Sequence, residues 1–216
     1  MPRDGSNVFW QPAGTVAVPG ANISSAAFNT VIGDIVADLN VARPVIAGGT
    51  GAANVTDARA NLKILTFASP FAAVTGNFAE FPVPDAWARK ITITFAQVTH
   101  TGTGAIVVIP GHAGGFALTD YASSAVTIDG ATVSTINSTT GLIVSQGASP
   151  LSISGTLTLE RPYGTTWISS HAVSRGSGGA AFGGGKIDLG SPLTRVVVGL
   201  SATGAFTGGA INISWS

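Results

Sequence analysis

The chain has 216 residues, with ten Lys and Arg balanced by ten Asp and Glu, 45% hydrophobic residues and no cysteine. Neither sign of charge forms a run, so the basic footprint that phosphate-backbone binding requires is missing and no nucleic-acid partner is expected. The lack of cysteine excludes a disulfide framework and thiolate metal sites and suits folding in a reducing cytosol; no stretch approaches the roughly 18–20 apolar residues of a spanning helix, so no membrane insertion is expected.

Charged residues make up only 9% of the chain, against about 25% in an ordinary soluble domain. An isolated copy would therefore show little charge to water, which favours an oligomer. The opening Met1-Pro2-Arg3-Asp4-Gly5-Ser6 carries an early acid and leads into no apolar run of signal-peptide length, so secretory export is not expected. Through residues 1–22, Pro2, Pro12 and Pro19 with Gly5, Gly14 and Gly20 break any regular element and predict an extended arm. Phe9 and Trp10 on such an arm are apolar anchors suited to docking on another subunit, with an exposed aromatic pair as the plainer alternative.

From Ser24-Ser25 the pattern turns helical. Either serine can cap, and Phe28, Ile32, Ile35 and Leu39 follow at spacings of four, three and four. Gly33 weakens this helix by roughly 1 kcal/mol relative to alanine, and a helix of about four turns is marginal alone, so its seam must pack on something. It can pack on its own C-terminal domain or form a parallel three-helix bundle, and isoleucine at both seam registers disfavours dimers. Residues 41–64 then give a glycine-rich loop, Arg43-Pro44-Val45-Ile46-Ala47-Gly48-Gly49-Thr50-Gly51-Ala52-Ala53, and a short helix through Asn54-Val55-Thr56-Asp57-Ala58-Arg59-Ala60-Asn61-Leu62. Thr56 is the expected cap, with Asp57 near the positive helix end. A phosphate-cradling loop is weakly supported, because no Lys-Ser/Thr pair follows it.

These residues resemble the repeated shaft motif of bacteriophage tail fibres, Gly-Gly-Thr-Gly-Ala followed after a few residues by Ala-Arg-x-Asn-Leu. The stretches Ile23–Asn29 and Asp34–Asn40 also look like the N-terminal portion of such proteins, so the resemblance covers about residues 8–64. It implies a structural fibre subunit whose shaft joins an attachment region to a distal domain; the single copy here implies a short fibre. The implied partners are further copies of the chain, other phage tail or baseplate proteins, and a host surface glycan or protein. The implied location is the virion tail, after assembly in the host cytoplasm.

Beyond Leu65 the period changes to two. Ile91, Ile93 and Phe95 alternate with Thr92 and Thr94; Leu151, Ile153, Leu157 and Leu159 alternate with Ser and Thr; Ile211, Ile213 and Trp215 alternate with Asn212 and Ser214. Val126-Thr127-Ile128 and Thr132-Val133-Ser134 flank Asp129-Gly130, a hairpin signal. The apolar runs Ala105–Ile109 and Val196–Leu200 suit strands covered on both faces. The glycine-dense stretch from Arg175 to Gly185 reads as a mobile hairpin loop. The expected fold is mainly β: a C-terminal antiparallel β-sandwich, jelly-roll-like, preceded by an extended arm and a short helix, in a homotrimer. The segment Phe206–Ile213 resembles the closing strand of tail-fibre β-sandwich tips, although Thr207 or Gly208 stands where that family commonly has an aspartate.

Little in the chain points to catalysis. His100, His112 and His171 show no spacing that places two nitrogens on one metal; three copies of one histidine on a trimer axis would be a site that no single-chain motif reveals. Asp85, Asp120, Asp129, Glu160 and Asp188 could in principle include a glycosidase pair, but Asp129 is accounted for by its turn and Glu160-Arg161 by an ion pair across a strand edge. No serine lies in a Gly-x-Ser-x-Gly elbow. No enzymatic activity, metal or cofactor is expected. The resulting organisation is residues 1–40 as attachment arm and trimerising helix, 41–64 as shaft motif and 65–216 as β-domain. Receptor contacts are expected in loops of 65–216, with His112, Tyr121 and Tyr163 as stacking candidates. A free carbohydrate-binding module using Tyr121, Tyr163 and Trp167 is the alternative, as is a collar or head-decoration fibre.

Overall fold

The computed structural model describes residues 20, 22, 24–40, 49–62, 66–67, 76–83, 88–146, 152–176 and 178–216. Phe9, Trp10 and Leu151 lie outside the described residues, as does the side chain of Leu39. The chain divides into two compact units, Met1–Ile64 and Leu65–Ser216.

In the first unit, α1 spans Ser25–Asn40. It starts at the Ser24 carbonyl, which accepts from the Phe28 amide at 3.1 Å. Phe28 and Ile32 of the expected seam stand exposed on the single chain, as does Val36, and Ile35 is half-buried. The second helix, α2, spans Val55–Asn61 and is capped two residues earlier than expected. Asn54, not Thr56, takes the cap: its side-chain oxygen accepts from the Asp57 amide at 2.9 Å while its amide donates to the Asp57 carboxylate at 2.7 Å. The extended backbone of Asn54 lets a side chain reach the third helical position, which Thr56, already inside the helix, cannot do. Asn61 donates to the Thr50 carbonyl at 2.9 Å, so the two halves of the Gly-Thr-Gly and Ala-Arg-x-Asn-Leu motif are hydrogen-bonded to each other.

The second unit is built from antiparallel strands: β1 Thr66–Phe67, β2 Phe78–Pro82, β3 Lys90–His100, β4 Ile106–His112, β5 Gly115–Phe116, β6 Ala122–Asp129, β7 Thr132–Ser138, β8 Leu142–Ser145, β9 Ile153–Tyr163, β10 Thr166–Arg175, β11 Gly179–Asp188, β12 Leu193–Leu200 and β13 Phe206–Trp215. They form one sheet in the order β1-β13-β3-β9-β10-β11-β6-β7 and a smaller sheet β2-β12-β4-β5, with β8 also paired to β4. Period-two alternation decides what each strand buries. Ile91, Ile93, Phe95, Leu157, Leu159, Trp167, Ile211 and Ile213 of the large sheet share one core with Phe81, Ile106, Val108, Leu142, Val196 and Val198 from the small sheet and β8. That shared core makes a two-sheet sandwich; each such side chain fully removed from water contributes roughly 1.5–3 kcal/mol. The apolar runs at 106–109 and 196–200 are neighbours, paired from Leu200↔Ile106 to Val197↔Ile109.

The alternate residues of the large sheet form three rows on its other face. One row reads Ser214, Thr92, Thr158, Ser170, Gly184, Ser124, Asn137; the next Asn212, Thr94, Thr156, Ala172, Phe182, Val126, Thr135; a third Ser154, Ser174, Ala180, Ile128, Val133. None of these residues is buried in the single chain.

Two expectations are corrected here. The Asp129-Gly130 hairpin is present, but Asp129 pairs with Thr132, so Gly130 and Ala131 make the turn, with positive φ at Gly130. The glycine stretch is no mobile loop: among its described residues Gly176 and Gly178 lie in a turn, and Gly179–Asp188 is an interior strand paired on both sides. Glycine is accepted there because neighbouring backbones come too close for a side chain. A Cβ at Gly183 would overlap the Ser124 carbonyl, and one at Gly179 would overlap the Asp129 carboxylate, which pairs with the buried Arg175 guanidinium.

The β3–β4 and β12–β13 connections clasp each other. The Thr101 amide donates to Ala205 O at 2.8 Å and its hydroxyl accepts from the Ala205 amide at 3.0 Å; the Ser201 amide donates to Ala105 O at 2.9 Å and its hydroxyl accepts from the Ala105 amide at 2.9 Å.

His171 lies inside, near the Val144 backbone, without a hydrogen bond of normal geometry on either ring nitrogen. Burial pulls its pKa from 6.5 to about 4. Because the folded state refuses the proton that the unfolded chain takes up below about 6.5, the neutral imidazole's contribution is present above that pH and is lost as pH falls toward 4, a change of about 3 kcal/mol. Urea unfolding at pH 7 and pH 4.5 should show a stability loss that His171→Leu reduces by about 2 kcal/mol; equal losses in both proteins would refute it.

Candidate functional site

Strand register shows which ends of the sandwich the candidate residues occupy. Tyr163 pairs with Thr166, which pairs with Asp188 at the end of β11; five residues later β12 begins at Leu193, opposite His112. His112, Tyr163 and the start of β6 next to Tyr121 therefore belong to one end. Thr66 of β1 pairs with Trp215, and Trp215 pairs with Ile91, so the chain also comes into the β unit at this end. The opposite end carries Gly76 beside Phe206, the clasped 101–105 and 201–205 loops, the Gly130 turn and the turn residues Gly176 and Gly178.

The three candidates differ in what they offer. Tyr163 is 72% exposed, next to Gly164 in the β9–β10 turn, where a positive φ suits glycine. His112 is half-buried and its Nδ1 accepts from the Gly114 amide at 3.0 Å, which leaves Nε2 as the ring's remaining polar atom. Tyr121 is corrected as a stacking residue: its ring is buried in the core and its hydroxyl donates to Ala117 O at 2.8 Å, and burial pushes the phenol above its ordinary range. Sequence could not separate it from Tyr163, since the two differ only in position relative to a strand's inner face. Trp167, the other stacking group of the carbohydrate-module alternative, is also buried, with the Arg161 guanidinium 5.7 Å from its ring.

A groove of about 440 Å³ lies between the start of β6 and the end of β7, lined by Tyr121–Ser124 and Asn137–Thr139. It is open, with Ser, Asn and Thr residues beside Tyr121 and Ala122. Ser123 is already committed, its hydroxyl accepting from the Ile143 amide at 2.9 Å. Asp85 lies outside the described residues; among the described carboxylates near this end each has a partner. Glu160 pairs with Lys90 at 3.3 Å, not with Arg161 as expected, because register sets Lys90 directly opposite it. The Thr165 hydroxyl at 2.6 Å and the Gly190 amide at 3.1 Å donate to Asp188 and hold its carboxyl below the usual range. Glu80 meets Arg195 at 3.2 Å, and Asp120 accepts from Thr119 at 2.9 Å. Among the described residues no three His, Asp or Glu side chains come together as metal ligands.

Comparison of the chain with family models, curated proteins and solved structures finds no match in any of the three.

The contrast between the two tyrosines is measurable. Tyr121→Phe strands the Ala117 carbonyl and should cost about 1 kcal/mol, whereas Tyr163→Ala should stay within about 0.5 kcal/mol of wild type. Urea denaturation of both variants checks this, and equal losses would mean that the rings are not packed as described.

Proposed function

We propose that this chain is a structural, non-catalytic subunit of a bacteriophage tail fibre, a homotrimer that attaches to the virion through its N-terminal arm and presents a β-sandwich. The observation that carries the reading is the motif Gly48-Gly49-Thr50-Gly51-Ala52 … Ala58-Arg59-Ala60-Asn61-Leu62, whose two halves are joined by the Asn61–Thr50 hydrogen bond. A jelly-roll type of sandwich fits as well, since β2, β3 and β4, and later β11, β12 and β13, pass alternately between the sheets. The free carbohydrate-binding module is less favoured, because two of its three stacking rings, Tyr121 and Trp167, are buried.

In this proposal Phe9 and Trp10 dock on a tail or baseplate protein, and Phe28, Ile32, Ile35 and Leu39 form the seam between three helices. The exposure of Phe28 and Ile32 on the single chain supports that seam. Ile32→Asp acts three times in one assembly and should lower trimer stability by several kcal/mol. Light scattering at micromolar concentration reads the outcome: a monomeric wild type would overturn the homotrimer, and an unweakened variant would overturn the seam.

Receptor contact, in the same proposal, is adhesive and multivalent, so three weak identical sites suffice. In this proposal the clasped 101–105 and 201–205 loops, at the end of the β unit opposite the β1–β13 pairing, make the contact with the host. The full-length chain added to host cells should slow phage adsorption, and it should still do so when it carries Tyr163→Ala with His112→Ala. No effect of the wild-type chain would reject the receptor role; loss of the effect in the double variant would return the contact to the His112 and Tyr163 end.

A further inference from the structure

We infer that the outer face of the large sheet, around Phe182, is the surface on which copies of this chain pack against one another in their β units. This deepens the homotrimer reading above and rests on it. The three outer rows contain no Asp, Glu, Lys or Arg on any of the seven strands that they cross. Charge begins only in the next row toward the end where the chain comes in, with Lys90, Glu160 and Lys186. On a soluble antiparallel sheet the face turned to water is the one that normally carries the charges. Here it carries threonine, serine and alanine, and three of the unit's exposed large apolar residues: Val133 at 64%, Phe182 at 45% and, at the margin, Ile168 at 42%.

Three features select a second copy as the occupant. A face without charge offers no complementarity to a charged partner, whereas three such faces set around a common axis can contact one another without desolvating an ion. Short side chains, and none at Gly184, leave no long group rising from the rows except Phe182, so two copies can approach closely. The size also fits: six strand spacings of about 4.8 Å by three side-chain levels of about 6.8 Å give a patch of roughly 600 Å² in projection. As accessible surface that is of the order of the roughly 800 Å² that each partner of a standard interface gives up. Hydroxyls of Thr94, Thr156 and Ser170 would hydrogen-bond across the contact, so burying them need not leave polar groups unpaired. With only ten basic and ten acidic residues in the whole chain, the charges gather where water remains.

The chain has no cysteine, so single thiols report the contact directly. In the full-length protein, Thr156→Cys should react with a maleimide at least tenfold more slowly than Tyr163→Cys, and its reactivity should rise when Ile32→Asp is added and the assembly is diluted. Phe182→Lys, tested in parallel, should lower the temperature at which the assembly dissociates while the separated chain keeps its β circular dichroism. A monomeric wild type would defeat the homotrimer reading itself. A trimer in which Thr156→Cys and Tyr163→Cys react alike would leave that reading standing and overturn the face. Slow reaction that persists in the monomer would also overturn it, because the cover would then be the chain's own first unit.

Discussion

The shared core of the two sheets constrains everything else in the β unit. A sandwich of this kind can bury only one face of each sheet, and the side-chain period of two leaves no freedom about which residues go there. Once Ile91, Ile93 and Phe95 point inward beside Leu157, Leu159, Ile211 and Ile213, Thr92, Thr94, Thr156, Thr158, Asn212 and Ser214 must point outward in register. The core therefore writes the outer face as well. A one-residue slip of any central strand would exchange an isoleucine for a threonine in the interior, leaving a buried hydroxyl without a partner as well as lost apolar burial. The alternation thus defends its own register.

Polar groups inside the fold show the same economy of space. Arg175 ends β10 with its guanidinium almost wholly buried, held by the Asp129 carboxylate of the β6–β7 turn and the Gln146 carbonyl. A buried arginine is tolerable only with such partners, and removing one would strand a charge in low dielectric. The geometry then passes to the next strand, because Asp129 occupies the space that a Cβ at position 179 would need. Glycine in β11 is in this way a consequence of the ion pair and of the close approach of β6 and β10, despite the weak intrinsic preference of glycine for strands.

These couplings also explain which parts of the fold can be read from sequence. Alternation in β3, β9 and β13, the hairpin after Asp129 and the apolar runs of β4 and β12 are local signals, and each corresponds to a strand in the structure. The glycine stretch failed as a loop because its meaning lies in the neighbouring backbones, which no local window contains. Asn54 displaced Thr56 as a cap by two positions, since both residues have capping chemistry and only the backbone angle decides between them. Tyr121 and Tyr163 looked equivalent because an inward and an outward ring differ only by strand phase. The pairing of Glu160 with Lys90 and the end at which the chain comes in depend on sheet order, which is set by contacts far apart in sequence.

Sheet order also sorts the charges. Arg89, Lys90, Asp120, Glu160, Arg161, Lys186 and Asp188 lie toward the end where Thr66 meets Trp215, while Asp129 and Arg175, toward the opposite end, neutralise each other. A chain with so few charges cannot spread them evenly and still keep every surface wet, so their concentration at one end leaves the remaining surfaces to hydroxyls, backbone and small apolar groups. Such surfaces are poor at steering a charged ligand over long range and well suited to close contact with an uncharged one. Copies of the same chain satisfy that condition along the sheet face. At the clasped loops the same condition admits a neutral, hydroxyl-bearing surface whose single contacts are weak. Adhesion would then come from the number of identical loops presented together, which makes the proposed assembly and the proposed contact two consequences of one scarcity of charge.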